Sequence, residues 1–256
     1  MRILVLFALL FSLTSFAADA HQPSGLSPVL VELFTSEGCS SCPPADALLR
    51  QLDAQPIPGV QLIVLSEHVD YWNHIGWKDP YSSRFFSDRQ SAYARRLGSG
   101  TVYTPEMIVD GTREFVGSAS KEAQKAIDQS RVEPKLQIGL SDVALASGVL
   151  HGRIEIEMLT ASLRSRSGDV YVAVALNHAE SQVLHGENQG RLLQHVAVVQ
   201  TITKLGSLSR TKGFAQDAAL KLGEKADPAN LRLIVFVQDP SSGRILGCTL
   251  QQLKSS

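Results

Sequence analysis

Two cysteines three positions apart, Cys39-Ser40-Ser41-Cys42, are the residues of this 256-residue chain best suited to chemistry. An apolar run, Val29 to Phe34, precedes them, and from Pro43 onward Leu48, Leu49 and Leu52 recur at helical spacing. A strand ending where a helix begins sets the dithiol against unpaired backbone N–H groups and the positive end of the helix dipole, both of which favour an anion. Cys39 is therefore the expected thiolate and nucleophile. Cys42, one helical turn on, is in reach to resolve a mixed disulfide. Pro43 and Pro44 fit a helix opening near Cys42, because prolines in a first turn forfeit no helical hydrogen bond. Zinc normally takes four ligands, and no second closely spaced Cys or Cys/His pair is present. A structural bridge over so short a loop constrains the unfolded chain little, so redox exchange is the better use of the pair.

Other polar groups fall near the same end of the strands. Glu67, His68 and Asp70 follow an expected second strand, Gln61 to Leu65, and adjacent parallel strands finish at one edge, which places the three beside the dithiol. Three roles stay open for them: proton transfer during exchange, a Cu(I) site of Cys39, Cys42 and His68, or tying together the aromatic-rich insertion that follows. Trp72, His74 and Trp77 form either an exposed lip for a substrate peptide or part of the core. Gly186 to Arg191 is a polar turn expected, with His195, to cap the interface of the two expected domains, and His195 reads as a satisfied structural histidine rather than a catalyst. Cys248 is either a lone buried thiol or the partner of a cysteine outside the chain.

The elements that must position these residues begin as strand, helix, strand, and the short connections imply a right-handed parallel crossover. Tyr81 to Leu97 predicts a helix with Phe85, Phe86, Tyr93 and Leu97 near one face. Met107 to Val109 and Glu114 to Val116 flank Asp110-Gly111, a hairpin signal. Ser118 or Ser120 is expected to cap a last helix with Ala123, Ala126 and Ile127 inward. This unit closes near residues 131 to 135. Beyond it, Leu136–Leu145, Val149–Leu159, Val170–Asn177, Leu192–Thr203, Leu231–Gln238 and Ile245–Leu250 read as strands, interrupted by a helix at Thr211–Leu222.

A second motif, Val102-Tyr-Thr104-Pro105-Glu-Met-Ile-Val, opens the third strand with a proline. Together with the dithiol it makes residues 29–130 resemble the thioredoxin superfamily. That resemblance implies a cis Pro105 lying against the dithiol, with Thr104-Pro105 aligning an extended substrate by backbone pairing. Over nearly the whole chain, Val31–Asp46, His68–Asn73 with Gly76–Pro80, and Gly186–Arg191 look like the secreted proteins catalogued as domain of unknown function 1223. The Ser-Ser pair, Pro43 after the second cysteine and Gly38 before the first depart from typical thioredoxins. The expected fold class is α/β: a thioredoxin-like N-terminal domain over 27–131, followed by a mainly β, sandwich-like C-terminal domain over 135–256.

Composition bounds the function. With 24 Lys plus Arg against 25 Asp plus Glu, no strong field draws the chain to nucleic acid or an anionic membrane. Arg2, the apolar run Ile3 to Phe11 and small residues at Ala17, Ala18 and Ala20 read as a signal peptide over 1–20, cleaved after Ala17 or Ala20. No later segment is long and apolar enough to span a bilayer, so the processed chain is expected to be periplasmic or secreted with no membrane span. The expected activity is thiol–disulfide exchange with protein thiols or disulfides and a redox partner, using the Cys39–Cys42 couple and no other cofactor. A copper-handling protein and a non-catalytic binding module are the rivals.

Overall fold

A computed structural model describes residues 25–157, 163, 167–208, 212–224 and 226–254. The expected signal peptide lies outside the described residues. The first elements are β1 (Ser27–Thr35), α1 (Pro43–Ala54), β2 (Val60–His68), α2 (Arg84–Leu97), β3 (Glu106–Val109), β4 (Arg113–Val116) and α3 (Ser120–Ser130). Strands follow: β5 (Ile138–Ala146), β6 (Val149–Ile156), β7 (Gly168–Gln182), β8 (Leu192–Leu208), β9 (Phe214–Lys221), β10 (Leu231–Gln238) and β11 (Ile245–Gln252).

The expected fold class is corrected by the sheet topology. The protein is mostly β, with 46% strand and 20% helix, and is not a thioredoxin-like α/β domain followed by a sandwich. One mixed eight-stranded sheet runs β11-β10-β7-β8-β2-β1-β3-β4, so four strands from each half of the chain join edge to edge in a single layer. The junction is a parallel pairing of Ser66 on β2 with Val198 on β8. An ion pair between Arg232 on β10 and Asp53 on α1, at 2.7 and 3.0 Å, crosses the same divide. A change in sequence texture near residue 131 marks a change of element type; it carries no information about which strand pairs with which.

The predicted helix at Thr211–Leu222 is likewise corrected. Residues 214–221 form β9, which pairs antiparallel with β6 along its whole length, from Val149↔Lys221 to Ile156↔Phe214. Ala, Leu and Lys favour a helix in isolation, but pairing with β6 while burying Ala218 and Leu220 outweighs propensities worth a few tenths of a kcal/mol per residue. The β5-β6-β9 sheet packs its apolar side on Val170, Val172 and Val174 of β7 and Leu233, Val235 and Val237 of β10.

Helices take opposite faces of the main sheet. The apolar alternation of β1 sends Val29, Val31 and Leu33 toward Ala45 and Leu49 of α1 and Ala126 and Ile127 of α3. Leu30 and Phe34 point the other way, to the side of Phe86 and Tyr93 of α2. Phe85, expected on that face, is 46% exposed, because it stands beside the buried stripe and not on it. Neither Ser118 nor Ser120 caps α3, whose N-cap is Ala119 with no side-chain bond.

The sheet coils until β11 lies beside β1. Asp110 pins this seam: its N–H donates to Leu30 O, its Oδ1 accepts from Leu30 N and its carbonyl accepts from Ile245 N. Asp110 and Gly111 have φ of 48° and 68°, as a tight hairpin turn requires. A Cβ on Gly111 would lie 2.0 Å from the carbonyl oxygen of Gly243, so only glycine fits there.

Candidate functional site

Cys39 and Cys42 are joined in a disulfide with Cα atoms 5.4 Å apart, and neither residue has exposed surface. Cys42 is the N-cap of α1, with prolines filling the first helical positions. Its carbonyl accepts from Ala45 N and Asp46 N, and its own N–H donates to Cys39 O at 3.2 Å. The helix therefore opens where the sequence predicts.

The peptide bond Thr104-Pro105 is cis. Ser41 reaches it through a long contact of 3.5 Å from Oγ to Thr104 O, and Ser41 Oγ lies 3.4 Å from Cys39 Sγ. Trp72 donates from Nε1 to Thr104 Oγ1 at 2.7 Å, and its Cβ would lie only 3.1 Å from a Cβ on Gly38. Three segments distant in sequence thus meet at one disulfide.

A fourth comes from the turn between β7 and β8. Asn188, fully buried, donates both amide hydrogens to the dithiol loop, to Glu37 O and Cys39 O, each at 2.9 Å. Glu187 accepts from Ser40 N at 3.0 Å. The Arg191 guanidinium donates to Asn188 Oδ1 at 3.0 Å.

Residues 30–238 match the profile of a family described as a protein of unknown function, DUF1223. The chain belongs to the DUF1223 family. No curated protein matches it. The crystal structure of protein AGR_C_4864 from Agrobacterium tumefaciens is similar, with 26% identity, a TM-score of 0.67, and coverage of 89% of this chain and 97% of that one. HBP35 of Porphyromonas gingivalis has a related fold at 16% identity, a TM-score of 0.62, and coverage of 90% and 76% respectively.

Beneath the disulfide, this DUF1223 protein buries a set of ionisable groups that only partly matches the predicted one. His68 is among them: its Nδ1 lies 2.7 Å from Asp79 Oδ2, which also accepts from Glu37 N at 2.9 Å. Burial opposes ionisation of Asp79, yet His68 and the N–H groups of Glu37 and Tyr81 outweigh it and hold that carboxyl below its usual range. His195 stacks edge-on to His68 at 4.8 Å between ring centres. Its Nε2 is 3.4 Å from Glu37 Oε1 and its Nδ1 is 3.8 Å from Asp46 Oδ1. Burial disfavours the imidazolium, but Asp46 and Glu37 prevail and push its pKa up to about 9. Both ring nitrogens lack a close hydrogen bond, so His195 is not the satisfied histidine expected from the sequence.

The other predicted residues disperse. Glu67 points to the opposite face of the sheet, beside Glu32 and 3.6 Å from Arg89. Asp70 bonds the hydroxyl of Ser87 at 2.5 Å and accepts nothing from the dithiol loop among the described contacts. Trp77 donates to Glu37 Oε2 at 2.7 Å, so it braces the loop two residues before Cys39. His74 is exposed and bonds Tyr71 O at 2.7 Å. Among the described residues, no three His, Cys, Asp or Glu side chains are grouped to hold a metal ion. Cys248 is buried, and burial first, then the charge of Asp110, raises its thiol well above the usual range.

Sequence reasoning missed Glu37, Asp46, Glu187 and Asn188. Glu37 and Asp46 bracket the dithiol within Val31–Asp46, and the other two lie within Gly186–Arg191. The signal was present as unexplained polar residues next to the motif; the pairing of β2 with β8 is what makes them neighbours.

Proposed function

We propose that this protein is an exported thiol–disulfide oxidoreductase acting on protein thiols or disulfides through Cys39 and Cys42. The observation that carries the reading is a Cys-x-x-Cys disulfide at the N-terminus of α1 with the cis Thr104-Pro105 bond beside it. That local pairing of motifs is the one the thioredoxin superfamily uses, and kinship with that superfamily is part of the proposal. Export rests on the signal-like composition of residues 1–20.

In the reducing direction, the Cys39 thiolate attacks a sulfur of a protein disulfide. A bond forms from Cys39 to that sulfur, and the other substrate sulfur leaves with the electron pair and takes a proton. Cys42 then loses its proton and attacks Cys39 Sγ, releasing the first substrate sulfur as a thiol. The protein pair is oxidised by two electrons and the substrate reduced by two; the oxidising direction is the reverse.

The test is a Cys42→Ser variant incubated with extract of exported proteins and analysed without reductant. Mixed disulfides through Cys39 that disappear in a Cys39→Ser/Cys42→Ser control are the expected result. Absence of adducts, with a wild-type pair that fails to exchange in any thiol buffer, would overturn the reading.

A further inference from the structure

Few amides are available to a sulfur anion at the start of α1. Pro43 and Pro44 have no N–H, the Cys42 N–H is bound to Cys39 O, and the Cys39 N–H is bound to Ser36 O. The amides of Ser40 and Ser41 are the donors left at the mouth of the dithiol loop. Ser40 N–H is taken by the carboxylate of Glu187, which arrives from a turn 147 residues downstream.

That carboxylate is held in place. Asn188, next to it, is buried and fixed by two bonds to the dithiol loop and one from Arg191. The turn is closed by backbone bonds from Gly190 N to Val183 O and from Val183 N to Arg191 O, at 2.8 and 2.9 Å. Hydrogen bonds from the Ser40 side chain and amide keep the Glu187 carboxyl below its usual range, so it is ionised at neutral pH.

We propose that Glu187 is a positioning residue that sets the redox equilibrium of the Cys39–Cys42 pair. By occupying the amide next to Cys39 with a negative charge, it disfavours the Cys39 thiolate and so favours the disulfide. The inference rests on the oxidoreductase reading and deepens it: a residue outside the motif, on the β7–β8 turn, regulates how strongly the pair oxidises a partner. Reduction by a monothiol breaks the Cys39–Cys42 bond, forms one reagent disulfide from two reagent thiols, and leaves the pair with two electrons more. The charge of Glu187 opposes that gain at Cys39.

The experiment equilibrates full-length processed protein, wild type and Glu187→Gln, with reduced and oxidised glutathione at neutral pH, and quantifies the free thiols of Cys39 and Cys42. E187Q is expected to shift the equilibrium constant about fivefold toward the dithiol at low salt, the scale of an exposed charge pair. The shift should shrink toward nothing at about 1 M salt, where screening acts within roughly 3 Å. Glu187→Lys should move it further in the same direction. A merely structural role for the turn would leave no such salt dependence. An equilibrium unmoved in both variants, or moved toward the disulfide, overturns the inference while leaving the oxidoreductase reading intact. A wild-type pair that does not cycle at all overturns both.

Discussion

Strands β1 and β2 carry a buried ionic cluster on each face, and the two are built differently. On the α2 face Arg89 lies 2.6 Å from Glu32 and 3.6 Å from Glu67, while Tyr93 and Gln238 complete the hydrogen bonding of Glu32 and Arg89. On the dithiol face His195 lies between Glu37 and Asp46 at 3.4 and 3.8 Å, and both of its nitrogens lack a close hydrogen bond. The first cluster fastens α2 to strands β1 and β10 of the sheet. In the second, the His195 distances are too long for good hydrogen bonds, although His68 and Asp79 beside it close to 2.7 Å. Incomplete bonding is not confined to one face, since both carboxylate oxygens of Glu67 also lack a close hydrogen bond.

The largest expected effect comes from breaking the tight cluster. Arg89→Met leaves Glu32 and Glu67 buried without their cation, and should cost about 3–5 kcal/mol in urea unfolding at pH 7. A loss below about 1 kcal/mol would mean that water reaches this cluster and that the contrast is false.

His195 comes next. Its pKa rises from 6.5 to about 9 on folding, so its stabilising effect is complete below pH 6.5 and fades as pH climbs through 9. His195→Asn should therefore lower stability by about 3 kcal/mol at pH 6 and by little above pH 9. An equal loss at both pH values would show that the imidazole acts only by filling space.

Glu106 offers the α2-face counterpart at a lower pH. Burial, followed by the repulsion of Glu114, raises its pKa from 4.5 to about 7 against the pull of Gln90. Since the folded state then holds the extra proton, stability declines as pH rises from 4.5 to 7 and is level above. Replacing Glu106 with Gln should remove that slope and gain about 2 kcal/mol at pH 8, as read from urea midpoints across the pH range. The two faces are thus separable by pH window alone.

The smallest effect is local to α2. Ser83 caps that helix by accepting from Phe85 N at 3.2 Å, and Ser83→Ala should cost about 1 kcal/mol. α1 has no side-chain cap to lose, since its N-cap is a disulfide cysteine.

Local sequence was legible where short-range physics decides. The apolar run before Cys39, the two prolines after Cys42 and the spacing of Leu48, Leu49 and Leu52 fix a strand, a helix start and a buried helix face without reference to the rest of the chain. Asp110-Gly111 specifies its hairpin for the same reason, because few residues accept two successive positive φ angles. Segment 214–221 was misread because its residues tolerate either structure, and the free edge of β6 made the choice.

What the chain's order of residues determined by itself is a cysteine pair at a helix start, one proline bond beside it and the elements that carry both. Tertiary structure alone decided that β2 and β8 would pair and that Asn188 and Glu187 would clasp the dithiol loop. It also set His195, and not Glu67, beneath that loop. The physical reason is that helix starts and turns are settled by interactions over a few residues. The pairing of strands more than a hundred residues apart depends on which edges and faces remain to be covered once those local elements exist.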